Sequence, residues 1–156
     1  MASCLLGIIA DTHGLLRPEA VAALRGAGLI LHAGDIGTAA VLDQLRQVAP
    51  VKAVRGNIDR EAWAAALPRR GLVEAAGTRL YLLHVLADLD VNPAAAGVRV
   101  VISGHTHRPA LHEHEGVLYL NPGGAGPRRF RLPVTIARLR VGNGVVEGEI
   151  IHLPVG

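Results

Sequence analysis

Three short apolar runs in the first third of the chain each stop at a polar turn, and helical periodicity fills the gaps between them. Cys4 to Ala10 runs straight into Asp11 and His13, Leu29 to His32 into Gly34-Asp35, and Val51 to Arg55 into Gly56-Asn57. A continuous apolar run bounded by polar residues suits a strand buried on both faces. Pro18 to Ala27 places Val21 and Leu24 on one helical face behind a first-turn proline. Val41, Leu42, Leu45 and Val48 recur at helical spacing behind Thr38, which is the predicted N-cap. The order is βαβαβ, with a short helix expected around Glu61 to Leu67.

From Leu72 onward the pattern is mostly β. Leu72–Ala75 and Arg79–His84 read as two strands about a Gly77-Thr78 turn, and Val98–Ser103 is another buried run. Ala110–Glu115 and Val117–Leu120 form a predicted hairpin through Gly116. Thr135–Val141 and Val145–Ile151 form a second around Gly142-Asn143-Gly144, where Asn-Gly is a strong turn signal. No repeat, low-complexity tract or linker divides the chain. Its 156 residues are expected to form one α/β domain, 1–156, of two packed sheets with helices outside.

Half of the residues are apolar and 19% are charged, which excludes extended disorder as the main state. Trp63, Tyr81, Tyr119 and Phe130 are the whole aromatic set, too few for the base-stacking platforms of single-strand nucleic-acid binders. A net charge of +3 is a mild field rather than a nucleic-acid footprint. Cys4 is the single cysteine, so neither a disulfide framework nor a thiolate metal site is available. The run ending at Ala10 is too short to span a bilayer and lacks the basic start of a signal peptide. A cytoplasmic protein with no membrane attachment is expected.

Strong chemistry must therefore come from Asp, Asn and His. Asp11, His13, Asp35 and Asn57 follow the first three strands, His84 closes a later one, and His105 and His107 follow Ser103. In α/β sheets ligands bind beyond the carboxyl ends of strands, so these seven side chains are expected to converge. Gly34, Gly56 and Gly104 each precede one of them, where a backbone without Cβ can come close to a site.

Two carboxylates, one amide and four imidazoles suit Mn, Fe, Zn, Ni or Co better than Ca or a structural zinc knot. Seven ligands exceed what one four-coordinate ion takes; they fit two ions sharing a bridging carboxylate. Two divalent cations and two carboxylates leave the site about +2, or about +1 with a bridging hydroxide. Such a site attracts anions and ionises water near neutral pH. Phosphate esters meet both conditions.

Asp11-Thr-His13, Gly34-Asp35-Ile-Gly37, Gly56-Asn57-Ile-Asp59, His84 and Gly104-His105-Thr-His107 occur in the order of the calcineurin-like metallophosphoesterase motifs. With Asn121-Pro122-Gly123 after them, the chain resembles the small YfcE-type phosphodiesterases from Cys4 to about Leu139. The resemblance implies a four-layer α/β/β/α sandwich of two mixed β-sheets flanked by helices. It implies one divalent ion on Asp11, His13 and His107, a second on Asn57, His84 and His105, and Asp35 as the bridge. Mn is the expected metal, with Ni, Co, Fe or Zn also suited. The implied reaction is in-line attack of a bridging hydroxide on a small phosphodiester or nucleotide-like substrate. Ile58 stands where many members carry a histidine viewed as the leaving-group acid, and isoleucine donates no proton. Val85 stands where glycine is common.

The remaining polar residues divide between two readings each. Asp59 can accept the N–H of a ligand imidazole or cap a helix. Arg108 can touch a substrate phosphate or sit in an exposed turn. Arg128, Arg129 and Arg131 can bind an anion or form a solvated or subunit-contact face. His32 packs in the core or supports the site from behind, while His112, His114 and His152 read as solvated. Rival functions are a phosphomonoesterase or nucleotidase, and a non-catalytic scaffold, which need not keep all seven ligands. A DNA nuclease would need capping domains for which the chain has no room. A homo-oligomer is open.

Overall fold

In the computed structural model, which describes residues 3–155, the elements follow the sequence pattern closely. β1 (Cys4–Ile9), α1 (Pro18–Leu24), β2 (Leu29–His32), α2 (Ala39–Arg46) and β3 (Val51–Ala53) form the βαβαβ unit. β4 (Arg70–Ala75), β5 (Thr78–Leu83), β6 (Val100–Ile102), β7 (Ala110–His114) and β8 (Val117–Asn121) come next, then β9 (Thr135–Gly142) and β10 (Val145–His152). They make two five-stranded sheets, ordered β10-β9-β1-β2-β3 and β4-β5-β6-β8-β7.

Register decides what lies at each sheet end. In the first sheet β1, β2 and β3 run parallel, with Ile9 beside His32 and His32 beside Ala53. Asp11, Asp35 and Asn57 therefore leave one edge together. In the second sheet β5, β6 and β8 run parallel, with Leu82 beside Ile102 and Ile102 beside Leu120. His84, Gly104 and Asn121 leave its edge in the same way.

The inner faces of the sheets form one core: Leu6, Ile8, Leu31 and Leu139 from the first pack with Leu80, Leu82, Val100 and Ile102 from the second. Each such side chain contributes about 1.5–3 kcal/mol by leaving water. The outer face of the first sheet, through Ile9, Ile30 and Ile136, buries Ala20 and Leu24 of α1 and Val41, Leu42 and Leu45 of α2. Outside the second sheet, Tyr81, Leu83, Val98 and Val101 are packed by Leu89 and Ala96. That outermost layer is a 3-10 turn, Leu86–Asp88, and coil. The α/β/β/α order is present, with its last layer reduced to that turn and coil.

Some local expectations shift. α1 stops at Leu24 because Gly26 turns left-handed (φ 92°) and the chain folds back, Ala27 N–H donating to the Leu24 carbonyl. Thr38 occupies the N-cap position of α2, yet its hydroxyl makes no capping bond. The helix expected at 61–67 is a single 3-10 turn, Ala62–Ala64. The β4–β5 turn lies at Ala76-Gly77, both left-handed, so Thr78 pairs with Ala75 as the first residue of β5. All five residues of edge strand β7 are exposed, and the His112 ring stacks on Tyr119 at 5.4 Å.

Candidate metal centre

Five of the seven expected ligands meet where the two sheet edges face each other. Asp11 Oδ1 lies 3.9 Å from His13 Nε2, 3.9 Å from His84 Nε2 and 3.7 Å from His107 Nε2. Asp35 Oδ2 lies 3.3 Å from His84 Nε2 and 3.6 Å from His13 Nε2. Two trios result, Asp11-His13-His107 and Asp11-Asp35-His84, each able to hold an ion. Asp11 is common to both, and Asp35 reaches a histidine of each.

The donor atoms fit a cation because the protein leaves them without partners. Asp11 Oδ1, His13 Nε2 and His84 Nε2 are buried and make no hydrogen bond. Such orphaned groups are costly unless something else satisfies them. The opposite atoms are fastened. Asp11 Oδ2 accepts the His105 backbone N–H at 3.0 Å, Asp35 Oδ1 that of Ile58 at 3.2 Å, and His84 Nδ1–H donates to the Ala33 carbonyl at 2.8 Å. A histidine pinned through Nδ1 presents its Nε2 lone pair in a fixed direction.

Backbone geometry at the site is unusual. Among the described residues, Asp11, His13, Asp35, His105 and His107 are five of nine non-glycine residues with positive φ. A non-glycine residue in such a conformation costs roughly 1–3 kcal/mol, and such residues cluster at functional sites. A Cβ on Gly56 would collide with the Asp35 carboxylate and backbone, and one on Gly104 would crowd Ala10 and Asp11 Oδ2. These two glycines let the loops close over the carboxylates.

Charge in the cluster follows from burial. Burial pushes Asp11 up to about 7, opposed mainly by His84. Burial pushes His107 down to about 4, with Arg129 adding to the effect, and also lowers His13. For Asp35 burial acts upward, but the close approach and charge of the His84 ring and the Ile58 N–H outweigh it and hold the carboxyl at about 2. For His84 burial acts downward, and the Asp35 carboxylate beside it wins, raising it.

His105 and Asn57 stand outside the tight group. Both are exposed; the His105 ring packs edge-on against His84 at 5.3 Å, and Asn57 shares a cavity wall with His84. Arg108 is exposed and lines the same cavity as His105, while the charge of Arg129 acts on Asp11, His13 and His107. Asp59 takes no imidazole. Its buried carboxylate accepts the backbone N–H groups of Gly56, Ile36 and Gly37 at 2.8, 3.1 and 3.0 Å, tying the Asp35 and Asn57 loops together.

Two supports went unread or half-read in the sequence. His32 is fully buried and pushed down to about 3 by burial. Gly34 N–H donates to its Nδ1, so its Nε2–H donates to Thr12 Oγ1, whose hydroxyl donates to the Ile36 carbonyl. Asn121 Nδ2 donates to the Gly104 carbonyl and Thr106 Oγ1, bracing the His105 loop.

Residues 5–144 match the family model of the calcineurin-like phosphoesterase superfamily domain. A protein named "Probable metallophosphoesterase" from Methanothermobacter thermautotrophicus is 38% identical over 160 residues, covering 95% of this chain and 92% of its own. Among solved structures, an archaeal phosphodiesterase superposes with a TM-score of 0.81 at 24% identity, covering 96% and 99% of the two chains. The phosphoesterase YfcE of E. coli gives 0.67 at 21% identity (96% and 99%), and Vps29 of Chaetomium thermophilum 0.76 at 23% (97% and 100%). Those three likenesses concern the fold. The family match across most of the chain, and a relative this similar over nearly its whole length, place the protein in the calcineurin-like phosphoesterase superfamily.

Proposed function

We propose that the protein is a metal-dependent phosphodiesterase working at a dinuclear centre. The observation that carries this reading is the convergence of Asp11 Oδ1, His13 Nε2 and His84 Nε2, buried and without partners, around Asp35 Oδ2. Asp11, His13 and His107 would hold one divalent ion and Asn57, His84 and His105 the other, with Asp35 shared by both and Mn the first metal to test. Two such ions supply charge to polarise a phosphoryl oxygen and to lower the pKa of water toward neutrality. The chain's own residues do the positioning. The Ala33 carbonyl fixes the His84 ring, the His105 and Ile58 amides fix the two carboxylates, and Asp59 locks the loops that carry Asp35 and Asn57.

A diester is favoured over a monoester by room for a second ester arm. A cavity of ≈ 530 Å³ adjoins His105, walled by Val85, Leu86, Ala110 and Tyr119. The test compares hydrolysis of bis(p-nitrophenyl) phosphate and p-nitrophenyl phosphate by protein loaded with Mn, Ni, Co or Zn. Diester hydrolysis that exceeds monoester hydrolysis and vanishes on chelation is expected. Equal rates, or activity in excess chelator with metal shown absent, would reject the reading.

A further inference from the structure

We propose that Arg55 and Arg69 form an anion subsite beside the metal centre that takes a second phosphate group of the substrate. The proposal rests on the phosphodiesterase reading and narrows its substrate class to esters that carry a further phosphate.

A small cavity of ≈ 70 Å³ lies against His84 and Asn57 and is lined by Arg55, Arg69, Arg70 and Asp88. Its size suits one tetrahedral anion rather than an aromatic base. The Arg55 N–H donates to the Pro68 carbonyl at 2.9 Å, which brings the chain leaving β3 beside the arginines that open β4. Arg55 Nε is buried and has no hydrogen-bond partner. A guanidinium stays charged, so burial without an acceptor is costly and an oxyanion would relieve it. Arg70 already pairs with Asp90 at 2.9 Å and donates to the Asp88 carbonyl. Among the described residues neither Arg55 nor Arg69 pairs with a carboxylate. Asp88 opposes them from the cavity wall, so two cations against one acid leave the cavity a net positive charge. Planar guanidinium forks match phosphate oxygens two at a time. Because His84 lines both this cavity and the metal centre, an ester bound at the metals would have its second phosphate within reach of the subsite.

The test has two arms. In the first, inorganic phosphate is titrated into the full chain in excess chelator, and the Arg55 Nε–H resonance is followed by NMR. A saturable shift is expected, with affinity falling about 10-fold or more in Arg69→Gln, the scale of one charge-assisted hydrogen bond. Arg140→Gln, on the other sheet, serves as the control. No saturable shift, or equal affinity in Arg69→Gln, overturns the subsite. Arg69 is exposed, so this variant decides even if Arg55→Gln fails to fold. In the second arm, metal-loaded protein hydrolyses the p-nitrophenyl ester of thymidine 5′-monophosphate with and without a 3′-phosphate. The KM ratio of the plain ester to the phosphorylated one should fall about 10-fold in Arg55→Gln and Arg69→Gln. Phosphate binding with an unmoved ratio overturns the substrate assignment. If neither ester is hydrolysed, the phosphodiesterase reading falls, and the phosphate titration alone decides whether the subsite exists.

Discussion

Asp11 Oδ1 and His84 Nε2 come from different sheets and face each other at 3.9 Å, both buried and neither hydrogen-bonded. The pair marks the seam where the carboxyl ends of two parallel strand sets meet. An acid and an imidazole held apart at this distance lack the contact of a structural ion pair, and a cation between them would satisfy both.

Metal binding should release protons. Asp11 sits at about 7 because of burial, and its folded value lies above the unfolded one. A cation must displace that proton, so affinity should rise as pH climbs through 7. Calorimetric titration of Mn in buffers of different ionisation enthalpy should show this release and two equivalents bound. Affinity independent of pH from 6 to 8 would contradict the role of Asp11.

Asp35→Ala should be the most damaging single change at the site, since Asp35 Oδ2 reaches His13 and His84 at once. Loss of at least one metal equivalent and a fall in activity of ~100-fold or more are expected, at the upper end of effects on metal shells. His114→Ala on the exposed edge strand should be silent. Similar effects of the two would show that the site is misassigned.

Asp59→Ala should cost about 3 kcal/mol, because it strands three backbone N–H groups, those of Gly56 and Ile36 buried and that of Gly37 half-buried. The melting midpoint should drop by roughly 5–10 °C. Asp59→Asn keeps one acceptor oxygen and should lose about half as much. A midpoint unchanged in both variants would mean the loops hold without this carboxylate.

The strands, and the strand-end positions of the five side chains that converge, were readable because both follow from short-range pattern: apolar runs give strands, and the carboxyl ends of parallel strands lie together. Asp59 and His32 were not, since their roles depend on loops brought together over twenty or more positions. Asp59 reaches Ile36 and Gly37 across the β2–β3 crossover, and nothing near Asp59 in the sequence distinguishes that from a helix cap. The expected helix at 61–67 failed for the same reason: bonds made by Asp59 and Pro68 at its two ends left only one turn between.

Ile58 bonds the Asp35 carboxylate through its backbone N–H, and its half-exposed side chain is aliphatic, so it offers no proton to a departing alkoxide. The protein should favour good leaving groups and show a steep dependence of rate on leaving-group pKa. Ile58→His should recover part of the ~10²–10⁴-fold that a well-placed general acid supplies, for alkyl leaving groups only. A flat wild-type series, with chemistry rate-limiting, would show that another residue already acts as the acid.

The buried His32 should make the metal-free protein acid-sensitive in a defined window. Its folded value is about 3 because burial disfavours the imidazolium, against an ordinary value of 6.5 in the unfolded chain. Between those limits the unfolded chain binds a proton that the folded one refuses. The stability contributed by His32 is therefore full above 6.5 and is lost as pH falls toward 3, at about 1.4 kcal/mol per pH unit. Asp11 acts in the opposite sense over part of this range, so the wild-type curve alone is ambiguous. Comparison with His32→Asn separates them, because Asp11 is common to both proteins. In urea titrations with chelator present, wild type should be the more stable near pH 7. Its advantage should shrink by roughly 3 kcal/mol by pH 4. An advantage that stays constant with pH would mean that His32 accepts a proton in the folded state, and that its chain of bonds through Thr12 to Ile36 tolerates an imidazolium.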